Sequence, residues 1–291
     1  MNSPCFPEFK LLGLEDRELV SPAIARHPAE ICELTFANLF IWRLVEHPKF
    51  TFIHDNLCIL CEPPTEGAYF LPPVGAEKIE ETLSACLAAA PRISRATGEL
   101  ARRLGGRFRS EPDRNNFDYV YETEDLISLQ GKKYDGKRNH IRRFEKSHSY
   151  QYARLASRHL DGCRKLLDEW LAVKAENGGS VTAAWKSVIQ ETFAHFDRLE
   201  LVGGVIETDD RVAAFSIGGR LNPDTAVIHL EIVHPDYDGL SQLINREFAR
   251  REWADCRFIN REQDCGIPGL RRAKLSYSPH HLVEKYDIWG A

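Results

Sequence analysis

Apolar residues recur with helical spacing in ELTFANLFIWRLV, at Phe36, Leu39, Phe40 and Val45, and Thr35 stands where it can cap that helix. FTFIH and LCILC follow. Asp55-Asn56 between them suits a two-residue turn with positive φ, which predicts a tight hairpin, with AYFLP as a third strand. Glu77 to Ala90 carries Ile79, Leu83, Leu87 and Ala90 on one stripe and stops at Pro91, the pattern of a terminated helix. Another strand, a short helix (GELARRL) and the strand DYVYE complete a first lobe.

Two amphipathic helices open the second half. One starts near Ser157 (Leu160, Cys163, Leu167, Trp170, Leu171), the other near Thr182 (Trp185, Val188, Ile189, Phe193, Phe196). LELVGGVIE, RVAAFSIGGRLN and AVIHLEIV then read as three antiparallel strands with turns at TDD and NPD, followed by a helix over Leu240 to Trp253 and a strand over Arg257 to Asn260. Helix, hairpin-linked strands, helix, strand thus occurs twice, the order that two copies of an acetyltransferase-like unit would give. The expected class is α/β of the α+β kind: two tandem lobes, each a mixed, largely antiparallel sheet flanked by helices. Residues 1–130 form the first lobe, 131–148 a basic connecting helix and 149–291 the second lobe.

Composition narrows the class. With 43% hydrophobic and 28% charged residues, the 291-residue chain is neither disordered, collagen-like nor a coiled coil, and it is long enough to bury a large core without staples. No run approaches the ~18 apolar residues of a membrane span, and the start lacks a basic segment followed by an apolar one, so a water-soluble, cytoplasmic protein is expected. The eight cysteines are scattered, mostly in apolar stretches, and reduced thiols are expected. Cys58 and Cys61 have CxxC spacing on a strand without further ligands, which predicts core thiols and no metal site.

Charge is unevenly spread. The formal net charge is -5, yet GKKYDGKRNHIRRFEK (131 to 146) holds seven Lys or Arg against two acids. Ile141 and Phe144 can anchor this helix while Arg138, Arg142 and Arg143 project elsewhere. Such a patch either attracts an anionic partner, a phosphate, nucleotide or RNA end, or is a solvated face.

Three further segments carry candidate chemistry. On AVIHLEIV, His229 and Glu231 share a face, and a carboxylate there needs a partner, a wet cleft or a raised pKa suited to proton transfer. The turn from Tyr237 through Gly239 to Ser241, with Gln242 and Asn245 on the helix behind it, offers N–H groups to phosphates, against the repulsion of Asp236 and Asp238. In the loop after RFIN, Asn260, Glu262, Gln263 and Asp264 suit an amine or amino-acid head group, and Lys274 and Tyr277 an oxyanion or leaving oxygen. Surface ion pairs account for those charges equally well. GxxxxGK[ST], GxSxG, HExxH and a GxGxxG after a strand are all missing from the sequence.

Together ELTFANLFIWR, GKKYDGKRNHIRRFEK, YDGLSQLINREF and INREQDCGIPGLRRAKLSYSPHHLVEKY resemble the soluble, stand-alone branch of the phosphatidylglycerol lysyltransferase C-terminal domain family. The resemblance implies two acetyltransferase-like (GNAT-like) lobes and transfer of an aminoacyl group from aminoacyl-tRNA to an amine or hydroxyl acceptor, a lipid head group or a small molecule. It implies that Tyr134, Lys137, Arg138 and Asn139 grip the tRNA acceptor end, that Glu231 or Asp264 orients the amine, and that Lys274 stabilises the oxyanion. No tightly bound cofactor is expected. Acyl-coenzyme A is the alternative donor, and a non-catalytic ligand- or RNA-binding protein of the same fold is the third reading.

Overall fold

The strands Lys49–Ile53 and Asn56–Cys61 pair antiparallel, with their turn one residue earlier than the sequence suggested: His54 and Asp55 take positive φ, 48° and 64°. Asn56 joins the strand because its buried amide is committed elsewhere. Its Nδ2 donates to the Glu77 carbonyl at 2.6 Å and to Thr82 Oγ1 at 2.9 Å. Thr35 caps Phe36–Ile41 as expected, accepting from the Asn38 N–H at 3.0 Å. In this computed structural model residues 3–104, 106–176 and 183–290 are described.

The chain forms two compact units, drawn differently from the lobes expected. Unit 1 comprises Met1–Tyr119, Glu262–Arg271 and Leu282–Ala291; unit 2 comprises Val120–Arg261 and Arg272–His281. The sheet of unit 1 runs in the order Lys10–Leu11, Lys49–Ile53, Asn56–Cys61, Tyr69–Phe70, Ile93–Thr97, Lys285–Trp289, Arg109–Pro112. Among these described strands Tyr69–Phe70 and Ile93–Thr97 pair parallel and the other neighbours antiparallel.

The final strand therefore returns to unit 1, and two interactions explain why. Ile288 is fully buried in one core with Phe70, Leu83, Ile93 and Ala96. Lys285, also fully buried, donates from Nζ to both Glu33 oxygens at 2.7 and 2.8 Å and to Asp118 Oδ1 at 2.7 Å. Arg95 Nε lies 3.3 Å from the same Glu33.

The second sheet runs His281–Val283, Asp118–Glu122, Phe258–Asn260, Thr225–Val233, Arg211–Asn222, Val202–Thr208, Gln151–Arg154. DYVYE, expected in the first lobe, thus pairs with Phe258–Asn260. Its first four positions are all buried, so its pattern shows no face preference that could reveal its sheet. The three-strand meander over Val202–Val233 is antiparallel as expected. Helix Leu160–Glu176 follows a 3-10 turn at Ser157–His159, and His159 Nδ1, not Ser157, accepts the Ala156 N–H at 2.9 Å. Thr182 lies outside the described residues; the helix after it covers Ala183–His195.

Helix Asp135–Ser147 buries Ile141 and Phe144 as its spacing predicts, and Phe144 meets the Tyr237 ring edge-on at 6.1 Å. It passes so close to the start of helix Leu240–Glu252 that a Cβ on Gly239 would lie 2.2 Å from the His140 carbonyl oxygen, and Gly239 has φ +90°. Gly239→Ala is therefore expected to cost about 1–3 kcal/mol, read as a lower urea midpoint with unchanged slope.

Candidate functional site

Strands Thr225–Val233 and Phe258–Asn260 run parallel but pair only from Thr225↔Phe258 to Val227↔Asn260. Beyond that point the first continues for six residues while the second ends. The longer strand also carries a bulge: Ile217 faces Leu230 and Gly218 faces Ile228, leaving His229 as the extra residue. Gly218 is required there, because a Cβ would sit 2.3 Å from the Val227 carbonyl oxygen. The result is a notch in unit 2 at the end of the short parallel ladder.

Arg261, the residue after the short strand, occupies the notch. Its guanidinium lies 3.2 Å from Glu231 Oε1, and both side chains are mostly buried, at 14% and 16% exposure. Glu231 Oε2 has no hydrogen-bond partner among the described residues. Arg261 lies over the Tyr277 ring at 5.1 Å and the Tyr121 ring at 5.9 Å. Lys137 reaches the same Tyr277 ring at 4.1 Å and donates to Ser276 Oγ at 2.6 Å.

The backbone around these groups is tied down. Lys274 Nζ donates to the Arg261 carbonyl, Tyr121 Oη donates to the Lys274 carbonyl at 2.8 Å, and Tyr134 Oη to the Tyr277 carbonyl at 2.8 Å. Electrostatics follow from this packing. Burial opposes the Arg261 charge, but the Glu231 carboxylate and the two phenols outweigh it and hold its pKa above the usual arginine value. Burial, and then the Arg261 charge, lower the pKa of Lys137. Burial pushes the Tyr277 phenol up, so it is a proton donor at neutral pH.

Five expected site residues are thus gathered: Tyr134, Lys137, Glu231, Lys274 and Tyr277. Arg261 and Tyr121 were missed, although a strand acid without an obvious counter-ion was a signal to look for a cation at the end of the neighbouring strand. His229 stays in unit 2 but lies over Gly219, its Nε2 3.9 Å from where a Cβ would be. Asn260 is buried on the short strand, and Asn245 is buried on helix Leu240–Glu252, where Gln242 is half-buried.

Other candidates are held by structural bonds. Arg138 donates to the Leu129 and Gly131 carbonyls and to Asp135, and exposed Asn139 accepts from Arg142 at 3.4 Å. Tyr237 donates to Asp209 at 2.9 Å. Asp238 is compensated rather than repelling, with His140 Nδ1 at 2.8 Å and Arg143 at 2.9 Å.

The acidic loop residues fall in unit 1. Glu262 accepts from Asn38 at 3.2 Å and Gln263 from the Cys32 thiol at 3.2 Å. Asp264 accepts from Arg114 at 3.1 Å, Tyr119 at 2.6 Å, Arg271 at 2.9 Å and the Gly266 N–H at 2.9 Å. Burial alone would raise its pKa, but the Arg271 and Tyr119 hydrogen bonds prevail and hold it at about 2. Its stabilising contribution is therefore complete above the ordinary value of 3.8 and lost as pH falls toward 2, so Asp264→Asn should flatten the acid limb of a stability-against-pH curve.

Cys32, Glu33 and Asp118 in unit 1 place ligand atoms within 4.8 Å of one another, as a metal site would. The Lys285 ammonium already supplies the cation there, 2.7 Å from both carboxylates. Cys58 and Cys61 are buried strand residues. Among the described residues no helix is long and apolar enough to cross a membrane.

Residues 25–288 match the family described as phosphatidylglycerol lysyltransferase, C-terminal. The chain belongs to that family. It is a family of transferases, and the two mixed sheets flanked by helices are its tandem acetyltransferase-like fold. A conserved protein of unknown function from Bacteroides thetaiotaomicron is 31% identical with TM-score 0.90, covering 97% of this chain and 99% of that one. The C-terminal domain of a putative lysylphosphatidylglycerol synthetase from Agrobacterium fabrum shares the fold at TM-score 0.64 and 14% identity, covering 94% and 91%. A tandem GNAT protein from the clavulanic acid biosynthesis pathway shares it at TM-score 0.50 and 10% identity, covering 98% of each chain. An uncharacterized protein of Mycoplasmoides gallisepticum is 24% identical over 180 residues, 59% of this chain and 55% of its own length. This chain thus spans about half the length of that curated relative.

Proposed function

We propose that this chain moves an aminoacyl group from aminoacyl-tRNA to an amine or hydroxyl acceptor, a lipid head group or a small molecule, with the chemistry in the unit 2 notch. The observation that carries the reading is the pair of cations, Lys137 and Arg261, on one aromatic ring beside a carboxylate whose second oxygen has no hydrogen-bond partner among the described residues.

Aminoacyl transfer to an amine breaks the ester C–O bond to the ribose and forms a C–N bond; one proton leaves the amine and one reaches the ribose oxygen. Lys137 and Arg261 oppose the negative charge that develops on the carbonyl oxygen. Glu231 Oε2 takes the proton from the acceptor nitrogen, and Tyr277 supplies a phenolic proton to the departing oxygen. Lys274, bonded to the Arg261 carbonyl, positions Arg261.

One observation favours an acyl-coenzyme A donor instead. The strand beyond Val227 runs past its parallel partner and offers an extended edge to an amide-bearing pantetheine arm. Binding of the purified protein to aminoacyl-tRNA, deacylated tRNA and acetyl-coenzyme A, at one fixed salt concentration, separates the readings. Preference for charged tRNA, lost in Lys137→Ala, is the expected result; coenzyme binding alone favours the acyl-coenzyme A reading, and binding to neither favours a non-catalytic protein.

A further inference from the structure

Unit 1 repeats, with other residues, the topology that opens the notch in unit 2. There too an antiparallel meander (Lys49–Ile53, Asn56–Cys61, Tyr69–Phe70) is followed by a helix, Ile79–Ala89, and by a strand parallel to the third, Ile93–Thr97. The parallel ladder is shorter still, a single position, Phe70↔Ile93. In open sheets the crevice outside the carboxyl ends of such strands is where ligands bind.

At that place unit 1 has a cavity of about 250 Å³. Pro72 and Pro73, one residue beyond the strand Tyr69–Phe70, line it with Ile31 and Leu34, all four largely buried. Exposed His27, Glu30, Glu99 and Arg103 also line it, Glu99 just beyond the end of Ile93–Thr97. Its volume is below the ~300 Å³ at which pockets begin to hold drug-sized molecules, so the ligand is small. Two acids against one arginine, with His27 uncharged, favour a positive head, and the apolar wall favours an aliphatic stem. The helix after the prolines has Glu80 and Glu81 in its first turn, which disfavours a phosphate.

We propose that this cavity is a second ligand site, for a small aliphatic amine or guanidine whose cationic head meets Glu30 and Glu99 while its stem lies on Ile31, Leu34 and Pro72. The site is independent of the transfer reading.

Calorimetry with the full chain and pentylamine tests it, with pentanol and pentanoate as neutral and anionic counterparts of similar length. Pentylamine is expected to bind once per chain, about tenfold or more tighter than either counterpart, and Glu99→Gln should weaken it about tenfold while Lys137→Ala leaves it unchanged. Glu99→Gln should also leave the melting temperature unchanged, since Glu99 is exposed. Absence of pentylamine binding, equal binding of pentanoate, or binding that survives Glu99→Gln and is lost in Lys137→Ala would overturn the proposal. The last outcome would place the amine in the unit 2 notch and leave the transfer reading intact.

Discussion

Lys285→Met is expected to remove roughly 3–5 kcal/mol of folding stability, a large share of the 5–15 kcal/mol typical of a folded chain. Methionine matches the length of the stem but leaves Glu33 and Asp118 without the ammonium that now sits 2.7 Å from each. Burial disfavours the charged lysine, yet attraction from Asp118, with Cys32 and Glu33, prevails, and its pKa is raised above 10.5. A raised lysine pKa stabilises the fold fully below 10.5, and the gain disappears only as pH climbs through the folded value. Burial likewise opposes the Glu33 carboxylate, but Lys285 and Arg95 keep its pKa below 4.5, so its part is lost in acid. Urea unfolding at neutral pH should therefore show the full loss. Neutralising the carboxylates as well, in Lys285→Met/Glu33→Gln/Asp118→Asn, should recover part of it. A change under about 1 kcal/mol for Lys285→Met would mean that this buried ion cluster does not secure the final strand.

Lys137→Met should lower kcat/KM for transfer by about 100-fold, the usual scale for removing one donor from a developing oxyanion. The side chain is half-buried and it meets a serine hydroxyl and a ring face, so the melting temperature should hold. That combination distinguishes loss of catalysis from loss of fold. The alkaline limb of the wild-type rate profile should lie below 10.5, because burial and Arg261 lower the pKa of Lys137 and its cation is the active form. A Lys137→Met enzyme with full activity would remove the cation pair from the mechanism.

Much of this architecture is legible from local pattern. Thr35 caps its helix, the meander strands follow their alternation, and Ile141 and Phe144 anchor the basic helix, because each depends on residues a few positions apart. What escapes the sequence depends on distance. Lys285 looks like an edge lysine in KYDIW until its partners appear, 252 positions away at Glu33 and 167 away at Asp118. Arg261 is likewise set 30 positions from Glu231, between Asn260 and Glu262, which draw attention as amine ligands. The bulge at His229 adds one residue to a strand without altering its composition, so alternation cannot expose it. Asp264 has a loop composition that suggests chemistry, whereas its four hydrogen-bond donors make it a structural anchor.

The unit 2 notch is proposed to transfer an aminoacyl group from RNA. That proposal is tested by following radiolabel from a pool of aminoacyl-tRNAs in the presence of lipid head-group and small-amine acceptors. The expected result is enzyme-dependent movement of label from RNA into a stable amide or ester product, about 100-fold slower with Lys137→Met. Label that stays on the RNA with every acceptor, while acetyl-coenzyme A supplies acyl groups to the same amines, would contradict it.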